Sequence, residues 1–346
     1  MYNKSVRILH SDNLMIRRYG HLKVSTGRKL FNGMIRNNWK VCEYSERDIA
    51  KFEAPLGIKP LGIRAANRRF IETFENFKPD VVLIGHSDLI TNRTLKTIKN
   101  IAPAVPIIYR NVDPLWRERN IKMIHHRKEV FDAIFVTTAG EPLKQFCTGK
   151  NVVGYIPNAT DLAIETFDNS TKTEFERDLI YCGRGNKSDD RYPFIVGLHT
   201  ELKGKLRFET FGIYGNPGVY GQGYDNLLKT SKMSLNLNRY EDWPWYSSAR
   251  IAHIMGNGLL AFVWDKGDMR HFFTDEQVAF FKDKESLMRQ IERFQADDAL
   301  RQTVAANGRR FYHENFSGQS VVSFIIETVL GLPYSHDYLW KDAVYR

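Results

Sequence analysis

The sequence predicts an α/β protein built from two doubly wound, Rossmann-like domains that face each other across a cleft. Short apolar runs alternate with amphipathic segments in both halves of the chain, which is typical of parallel sheets covered by helices. The 346 residues are enough for two domains, and 42% hydrophobic residues suffice for two cores. A polar, weakly patterned stretch at 161–177 is predicted to link a first domain at 1–160 to a second at 178–325.

The N-terminal half is predicted to begin with a strand and to continue with helices and strands in turn. Apolar residues at 30, 31, 34 and 35 have helical spacing behind Ser25, a suitable N-cap. Phe70 and Phe74 mark one face of a second helix, and the run 80–87 is apolar enough to be a buried strand. The predicted helices are 25–36, 64–77 and 94–102; the predicted strands are 6–10, 39–45, 80–87, 105–113 and 132–138, with 151–161 closing this half.

The C-terminal half repeats the alternation. A strand is predicted to end in the glycine loop at 183–185, and small residues at 256–258 separate a helix from the buried strand 258–264. The predicted strands are 178–185, 206–215, 232–239 and 258–264; the predicted helices are 247–257, 285–296, 298–315 and the tail 335–346.

The net charge of +10 is concentrated in the N-terminal half. Counting Lys and Arg against Asp and Glu gives 27 − 14 = +13 for residues 1–150 and 23 − 26 = −3 for residues 151–346. A field of that sign attracts phosphorylated sugars, acidic lipid surfaces or nucleic acid; a solvated basic surface without a partner is the alternative. Basic and apolar residues occur together at 14–40, which suits contact with an anionic membrane.

Composition excludes several classes of protein. No run approaches the ~18 apolar residues of a membrane span, and the first residues lack the apolar core of a secretory signal. The three cysteines, Cys42, Cys147 and Cys182, are far apart, which favours a reducing compartment over a zinc cluster. No Gly-x-Gly-x-x-Gly follows a first strand, so a dinucleotide oxidoreductase is disfavoured. We expect a cytoplasmic protein without a metal or cofactor.

Polar side chains follow many of the predicted strands, where doubly wound sheets bind ligands. The glycine loop Gly183-Arg184-Gly185 can present backbone N–H groups to a phosphate, with Arg184 and Lys187 as cations and Arg191 in support. An ordinary turn with surface basic residues is equally compatible with the spacing. The polar residues at strand ends are His10, Ser11, Asp12, His86, Ser87, Arg110, Asn111, Asp113, Gly183, Arg184, Asn236, Asn238 and Arg239.

The segment 247–262 predicts a short amphipathic helix followed by a buried strand. Ser247 or Ser248 is placed to cap this helix and so to leave its first N–H groups for an anion. Arg250 and His253, three residues apart, lie on one helix face. A packing role for His253 is the alternative interpretation.

The order of these segments resembles that of group-1 glycosyltransferases of the GT-B fold, and most of all the spore-protein (CgeB-type) glycosyltransferase-like branch. The similar segments are 155–161, the Gly183-Arg184 loop, 250–258, 267–294 and the closing helix at 305–317. In the N-terminal half, 110–114 is similar to the family's strand-end aspartate, and 18–21 lies where the family has the loop after its first strand. The resemblance implies that the last helix, at 326–346, packs back on the N-terminal domain.

The resemblance also implies a nucleotide-sugar donor in the C-terminal domain and an acceptor in the N-terminal domain. Where related enzymes contact the ribose with a glutamate, this sequence has His253, and Tyr246 replaces a second glutamate seven residues earlier. The implied donor-binding residues are Gly183, Arg184, Lys187, Asn238, Arg239, Tyr246, Arg250, His253 and Asp268; the implied acceptor-binding residues are Arg18, Gly20, His21, Arg110 and Asn111.

The function expected is metal-independent transfer of a sugar to a glycan, lipid-linked or other hydroxyl acceptor, in bacterial surface polysaccharide or glycoconjugate synthesis at the inner face of the membrane. Cations and a helix N-terminus would stabilise the leaving phosphate. An inverting enzyme needs a base, for which Asp12, His86 and Asp113 are candidates, whereas a retaining course, which the resemblance favours, does not. A phage-type DNA-base glycosyltransferase and a non-catalytic GT-B binding protein are the alternatives; nucleic acid is the less favoured partner, and the oligomeric state is open.

Overall fold

The structure, a computed structural model, describes residues 5–18, 21, 26–85, 88–240 and 242–346. The chain divides into two units. Unit 1 comprises Met1–Ala159 together with Ser317–Arg346, and unit 2 comprises Thr160–Phe316. Each unit is a doubly wound sheet covered by helices, all parallel in unit 2 and parallel except for one edge strand in unit 1, which confirms the predicted α/β fold class.

Unit 1 has a sheet of seven strands within the described residues, in the spatial order β12-β6-β5-β4-β3-β1-β2. All pairs are parallel except the last strand of the chain, which pairs antiparallel with β6. The strands are β1 (Arg7–Asp12), β2 (Lys40–Ser45), β3 (Val81–Ile84), β4 (Ile107–Asn111), β5 (Ala133–Val136), β6 (Val152–Tyr155) and β12 (Val344–Tyr345). The central strands β3 and β5 are buried along their whole length, as the apolar runs predict.

Six helices cover the described part of this sheet. They are α1 (Thr26–Arg36), α2 (Glu46–Phe52), α3 (Lys59–Phe77), α4 (Asn92–Ile101), α5 (Glu118–Arg127) and α11 (Gly318–Leu330). The chain returns to unit 1 through α11, which crosses α1 at two glycines. A Cβ on Gly33 would lie 2.2 Å from the backbone of Gly318, and a Cβ on Gly318 would lie 2.2 Å from the carbonyl oxygen of Lys29. This close crossing fixes the returning helix on unit 1.

Unit 2 has a five-stranded parallel sheet in its described residues, in the order β11-β10-β9-β7-β8. The strands are β7 (Arg177–Cys182), β8 (Phe208–Phe211), β9 (Ser231–Asn236), β10 (Leu260–Trp264) and β11 (Ala279–Phe281); the helices are α6 (Arg191–Leu202), α7 (Gly221–Lys229), α8 (Arg250–Gly256), α9 (Lys284–Ala296) and α10 (Asp298–Asn315). One face of the sheet buries Leu179, Leu235 and Phe262 against α6, α9 and α10. The carboxyl ends of β7, β9 and β10 therefore meet at one edge of unit 2.

The stretch 161–177 is part of unit 2 and differs from the predicted linker. Asn169 is buried, and its side-chain amide donates to the carbonyl oxygens of Leu228 and Ser231 at 2.7 and 2.9 Å. The buried guanidinium of Arg301 donates to the carbonyl oxygens of Asn169 and Lys172. Buried polar residues such as Asn169 therefore bond to backbone groups inside the unit, while Thr173, Glu174 and Glu176 in the same stretch are exposed.

The end of the chain also differs from the prediction. The helix predicted at 326–346 is α11, which begins at Gly318 and ends at Leu330, where Gly331 adopts a left-handed φ of 63°. Residues 335–346 form turns and then β12, which adds an edge strand to the sheet of unit 1. No helix in the described ranges has the length and apolar content needed to cross a bilayer.

Candidate functional site

The glycine loop after β7 presents Arg184 at the carboxyl edge of unit 2. Gly183 packs so closely on its neighbour that a Cβ would lie 2.4 Å from the Tyr181 hydroxyl. The N–H of Gly185 donates to the carbonyl oxygen of Gly212 at 2.9 Å, which ties the loop to the end of β8. Arg184 is exposed, and its guanidinium donates to the hydroxyl of Tyr220 at 3.1 Å. The loop thus holds a cation at the strand ends.

A buried ion pair braces this loop from below. The guanidinium of Arg191 donates to both carboxylate oxygens of Asp189 at 2.7 and 2.8 Å, and also to the Tyr181 hydroxyl and the Arg184 carbonyl oxygen. Asp189 additionally lies 2.7 Å from the guanidinium of Arg239. Burial would raise the pKa of Asp189, but the hydrogen bonds and charge of Arg191, with the charge of Arg239, lower it to about 2. Arg191 therefore shapes the loop, and its bonds point inward.

Arg250 joins the ends of two neighbouring strands. Its Nη1 donates to the carbonyl oxygen of Cys182 and its Nη2 to that of Leu237, both at 2.7 Å. The guanidinium lies 5.1 Å from the ring centre of Tyr181 and is 9% exposed. The helix that Arg250 begins has Ala249 at its N-cap without a side-chain hydrogen bond, so the predicted serine cap is not formed. Arg250 is placed to hold the site rather than to reach out of it.

A strained aromatic loop lies next along this edge. Trp245 has a φ of 54°, a left-handed value that is uncommon for a bulky side chain, and Asp268 has a φ of 57°, which aspartate adopts more readily. The Trp245 indole N–H donates to the Asp268 carboxylate at 3.0 Å, and its ring stacks on His271 with centres 4.2 Å apart. Asn238 accepts a hydrogen bond from the N–H of Ser248 at 3.1 Å, and so ties the loop to the end of β9. Strained residues held in this way are typical of functional loops.

His253 faces a carboxylate that the sequence analysis did not single out. The Nδ1 of His253 lies 2.8 Å from an oxygen of Glu165, which is fully buried, while the other Glu165 oxygen accepts from the N–H of Asp161. The imidazole is 16% exposed and edge-on to Tyr224, 5.6 Å between ring centres. A carboxylate at this distance favours a proton on Nδ1 and fixes the orientation of the ring. No sequence spacing relates positions 165 and 253, so only the three-dimensional structure shows that these two residues are in contact.

In unit 1, Asp12 and Arg110 form a buried ion pair at the ends of β1 and β4. The carboxylate accepts from Arg110 and from the N–H of Asn13, and His10 Nε2 lies 3.5 Å from it. Burial alone would raise the pKa of Asp12, but the charges of Arg110 and His10 outweigh burial and lower that pKa well below its usual range. A Cβ on Gly85 would lie 1.9 Å from Asp12, so this glycine makes room for the pair.

The turn after β4 is held by a pair of side-chain amides. Asn111 donates to Asn120 at 2.7 Å and accepts from it at 3.1 Å, and it also accepts from the N–H of Asp113 at 2.9 Å. The side chain of Asn111 is thereby turned inward. The carboxylate of Asp113 is 37% exposed and lies 3.9 Å from the guanidinium of Arg117, four residues later. Asp113 is accessible, whereas Asp12 is not.

The remaining predicted residues fall into two groups. Lys187 is exposed beside Arg184, Tyr246 is largely buried in the aromatic loop, and Arg18 and His21 are exposed after β1. Gly20 and His86 lie outside the described residues, as does Ser25. Over the described ranges, no three His, Cys, Asp or Glu side chains are grouped as metal ligands. Metal independence stays a prediction.

Comparisons with known proteins found a family and solved structures to which this chain is similar. Residues 191–327 match a family described as glycosyl transferase-like. Sucrose-phosphate synthase from Thermosynechococcus elongatus has a similar structure, with a TM-score of 0.59 and 14% identity over 94% of this chain and 98% of that chain. The structure of Anabaena HepE in a complex with UDP and glucose is also similar, with a TM-score of 0.54 and 13% identity over 94% of this chain and 100% of that chain. The structure of AviGT4, a glycosyltransferase involved in avilamycin A biosynthesis, has a TM-score of 0.54 and 13% identity over 99% of this chain and 100% of that chain. No curated protein matches the sequence. The fold is that of GT-B glycosyltransferases.

Proposed function

We propose that this chain is a glycosyltransferase that binds a nucleotide-sugar donor on unit 2 and a hydroxyl acceptor on unit 1. The family match over residues 191–327 and the GT-B fold support glycosyl transfer. The observation that carries the donor site is Arg184, an exposed guanidinium on a glycine-framed loop whose backbone is braced by the saturated Arg191–Asp189 pair. A loop that is ordered before binding spends less binding energy on ordering itself.

The donor proposed first is a UDP-sugar, because HepE structures contain UDP and UDP-glucose. Arg184 and Lys187 would contact the diphosphate, Arg184 through its planar fork and Lys187 as a point charge. These two cations would stabilise the negative charge that grows on the leaving phosphate, without a metal or cofactor. His253, oriented by Glu165, would donate or accept at a donor hydroxyl in place of the glutamate of related enzymes.

The stereochemical course proposed is retention, in which the leaving phosphate takes the acceptor proton. Support comes from the state of Asp12, whose buried ion pair with Arg110 makes it a weak base. Asp113, whose carboxylate is accessible, is the candidate base if the course is inverting. The anomeric proton coupling of the product, measured by NMR, distinguishes the two courses.

The acceptor proposed is an anionic or lipid-linked glycan, in bacterial surface polysaccharide or glycoconjugate synthesis on the cytoplasmic side of the membrane. The excess of basic residues in the N-terminal half favours an anionic acceptor there. The CgeB-type resemblance belongs to the same proposal.

Thermal unfolding with UDP-, GDP-, ADP-, TDP- and CMP-sugars tests the donor site, since a ligand that binds the folded state raises its melting temperature. We expect one nucleotide to respond, and Arg184→Ala to weaken its binding by about 1.5–3 kcal/mol, the usual value of a hydrogen bond to a charged group. Arg289→Ala, which removes an exposed arginine on α9, is the matched control. Equal donor affinity in Arg184→Ala and the control would remove Arg184 from the site.

The non-catalytic alternative rests on Tyr246 and His253, which stand where related enzymes have glutamates. A protein of that kind would bind a glycan without releasing nucleotide from any donor. Nucleotide release measured on the donor identified above, with and without a glycan acceptor, separates binding from turnover.

A further inference from the structure

The tip of the α2–α3 hairpin, residues 52–61, exposes large apolar side chains. Phe52 is 63% exposed, Leu56 95%, Ile58 48% and Leu61 59%. Twelve large hydrophobic side chains are exposed over the whole described chain, so a third of them lie within these ten residues. Single exposed apolar residues need no explanation, but a cluster of this kind marks an interaction surface.

The exposure is built into the hairpin rather than produced by loose packing. Gly62 of α3 lies against α2 so closely that a Cβ would be 1.8 Å from the Ala50 carbonyl oxygen. Arg69 of α3 forms an ion pair with Glu53 at the end of α2. Leu56 has a φ of 56°, a left-handed conformation that favours glycine, yet the position carries a leucine. The fold therefore holds an apolar side chain outward at a conformational cost.

The hairpin around this tip is basic. Residues 51–69 contain five basic residues and one acidic residue, Glu53, which Arg69 already neutralises. Arg64 is exposed on α3, and Lys51 and Lys59 stand on either side of the tip; Arg68 is also exposed but lies 3.5 Å from Glu72 on the same helix. An apolar tip surrounded by cations matches a surface that is apolar inside and anionic outside, which is the chemistry of an anionic lipid bilayer.

We infer that the hairpin tip inserts into the interfacial region of anionic membranes, with Leu56 deepest and the flanking lysines and arginines at the headgroups. This places the membrane contact at 52–61 instead of 14–40. In that earlier segment Leu14 and Leu30 are in the core of unit 1 and are unavailable to lipid, and the exposed large apolar residues of its described part, Ile16 and Ile35, stand far apart in sequence rather than in a cluster.

The base of the hairpin is tied to the strand ends of unit 1. Glu46, the first residue of α2, directly follows β2, and its buried carboxylate accepts from the N–H groups of Leu89 and Ile90 at 2.8 and 3.2 Å. Arg47 pairs with Asp88 at 2.8 Å in the same loop after β3. Insertion of the tip would bring this edge of unit 1 to the headgroups, where a lipid-linked acceptor would be reached; that last step rests on the proposed function.

Sedimentation with vesicles tests the insertion directly. The full chain is mixed with vesicles of phosphatidylcholine alone or with 30% phosphatidylglycerol, about a third anionic as needed for a marked surface potential. We expect binding to the anionic vesicles only, weakened by salt, and at least a roughly ten-fold loss in Leu56→Gly, since one buried leucine side chain supplies that factor. The same change at Leu162, which is 60% exposed on unit 2, is the control and is expected to bind normally.

Folding is checked by thermal unfolding, in which Leu56→Gly is expected to melt no lower than the parent, because the side chain is exposed and glycine suits the left-handed backbone. Equal vesicle binding by Leu56→Gly and Leu162→Gly overturns the inference. A second result would also overturn it: the parent does not bind vesicles but forms a dimer in analytical ultracentrifugation, and Leu56→Gly dissociates that dimer. The tip would then bind a second copy of the chain rather than a membrane. No donor is present in these experiments, so their outcome is independent of whether the chain transfers sugars.

Discussion

Replacing Arg250 by lysine separates a structural role at the unit 2 site from direct contact with a donor. The arginine donates to the carbonyl oxygens of Cys182, the last residue of β7, and of Leu237, which follows β9. A lysine keeps the positive charge but is a single point on a flexible stem, and it cannot bond both carbonyls in the same planar geometry. Arg250→Lys therefore removes the tether and keeps the charge.

The expected loss follows from these contacts. One hydrogen bond to a charged donor contributes ~1.5–3 kcal/mol, and the guanidinium over Tyr181, 5.1 Å from the ring centre, contributes ~0.5–1 kcal/mol. Together they predict a decrease of about 2–4 kcal/mol in the free energy of unfolding of unit 2. For a unit of this size the melting temperature would fall by roughly 5–15 °C.

Differential scanning calorimetry measures this shift, and titration with the donor identified above measures affinity in the same samples. Arg289→Lys, at an exposed site on α9, is the control and is expected to leave both unchanged. A melting temperature within 2 °C of the parent, combined with a loss of donor affinity, would refute the tether and make Arg250 a direct ligand of the phosphate.

Two further predictions test the packing and the charges of the two units. Gly85→Ala is expected to destabilise unit 1 by about 3 kcal/mol in a urea titration, because its Cβ would lie 1.9 Å from Asp12 and separate a buried ion pair. The control is Gly197→Ala in α6, where the nearest atom is 3.5 Å away, and this change is expected to stabilise by ~0.5–1 kcal/mol. Equal effects of the two substitutions would contradict the close packing at Gly85. The pKa of Asp189 is lowered from 3.8 to about 2, so its ionised form stabilises the folded state above pH 4, and this stabilisation is lost as the pH falls from about 4 through about 2. Urea midpoints measured from pH 7 to pH 2 are expected to fall less steeply at acid pH in Asp189→Asn, and an unchanged slope would refute the role of the Arg191–Asp189 pair.

The fold was predictable because the strands and helices of both units have recognisable patterns of apolar residues in the sequence. Strands buried on both faces, such as β3 and β10, are continuous apolar runs, and the amphipathic helix α1 has a clear period. Periodicity says less about short helices. Helix α2 has seven residues, and two of the three that it buries are Glu46 and Asp48, so apolar residues do not mark its buried side. The most unusual surface of unit 1 therefore lies where the pattern is weakest.

The stretch 161–177 shows why polar composition alone misassigned a boundary. Two of its side chains bond to backbone carbonyl oxygens of distant residues: Asn169 to those of Leu228 and Ser231, and Lys172 to that of Lys229. A segment whose polar residues are buried by such bonds contains the same types of residue as an exposed linker. What distinguishes a buried polar residue from an exposed one is its hydrogen-bond partners, and the partners of Asn169 are 59 and 62 positions further along the chain.

The same reasoning explains the departure at position 253. The resemblance implies a carboxylate there, and the sequence has a histidine, which taken alone weakens the case for a donor site. The structure supplies the carboxylate from Glu165, 2.8 Å from the imidazole, and Gly256 makes room for it, because a Cβ at 256 would lie 2.7 Å from the Glu165 side chain. The glycine that the sequence assigns to a helix break thus has a packing function as well. A carboxylate behind a histidine orients a ring that can donate or accept, so under the proposed function the substitution would change how a donor hydroxyl is held without removing the means of holding it.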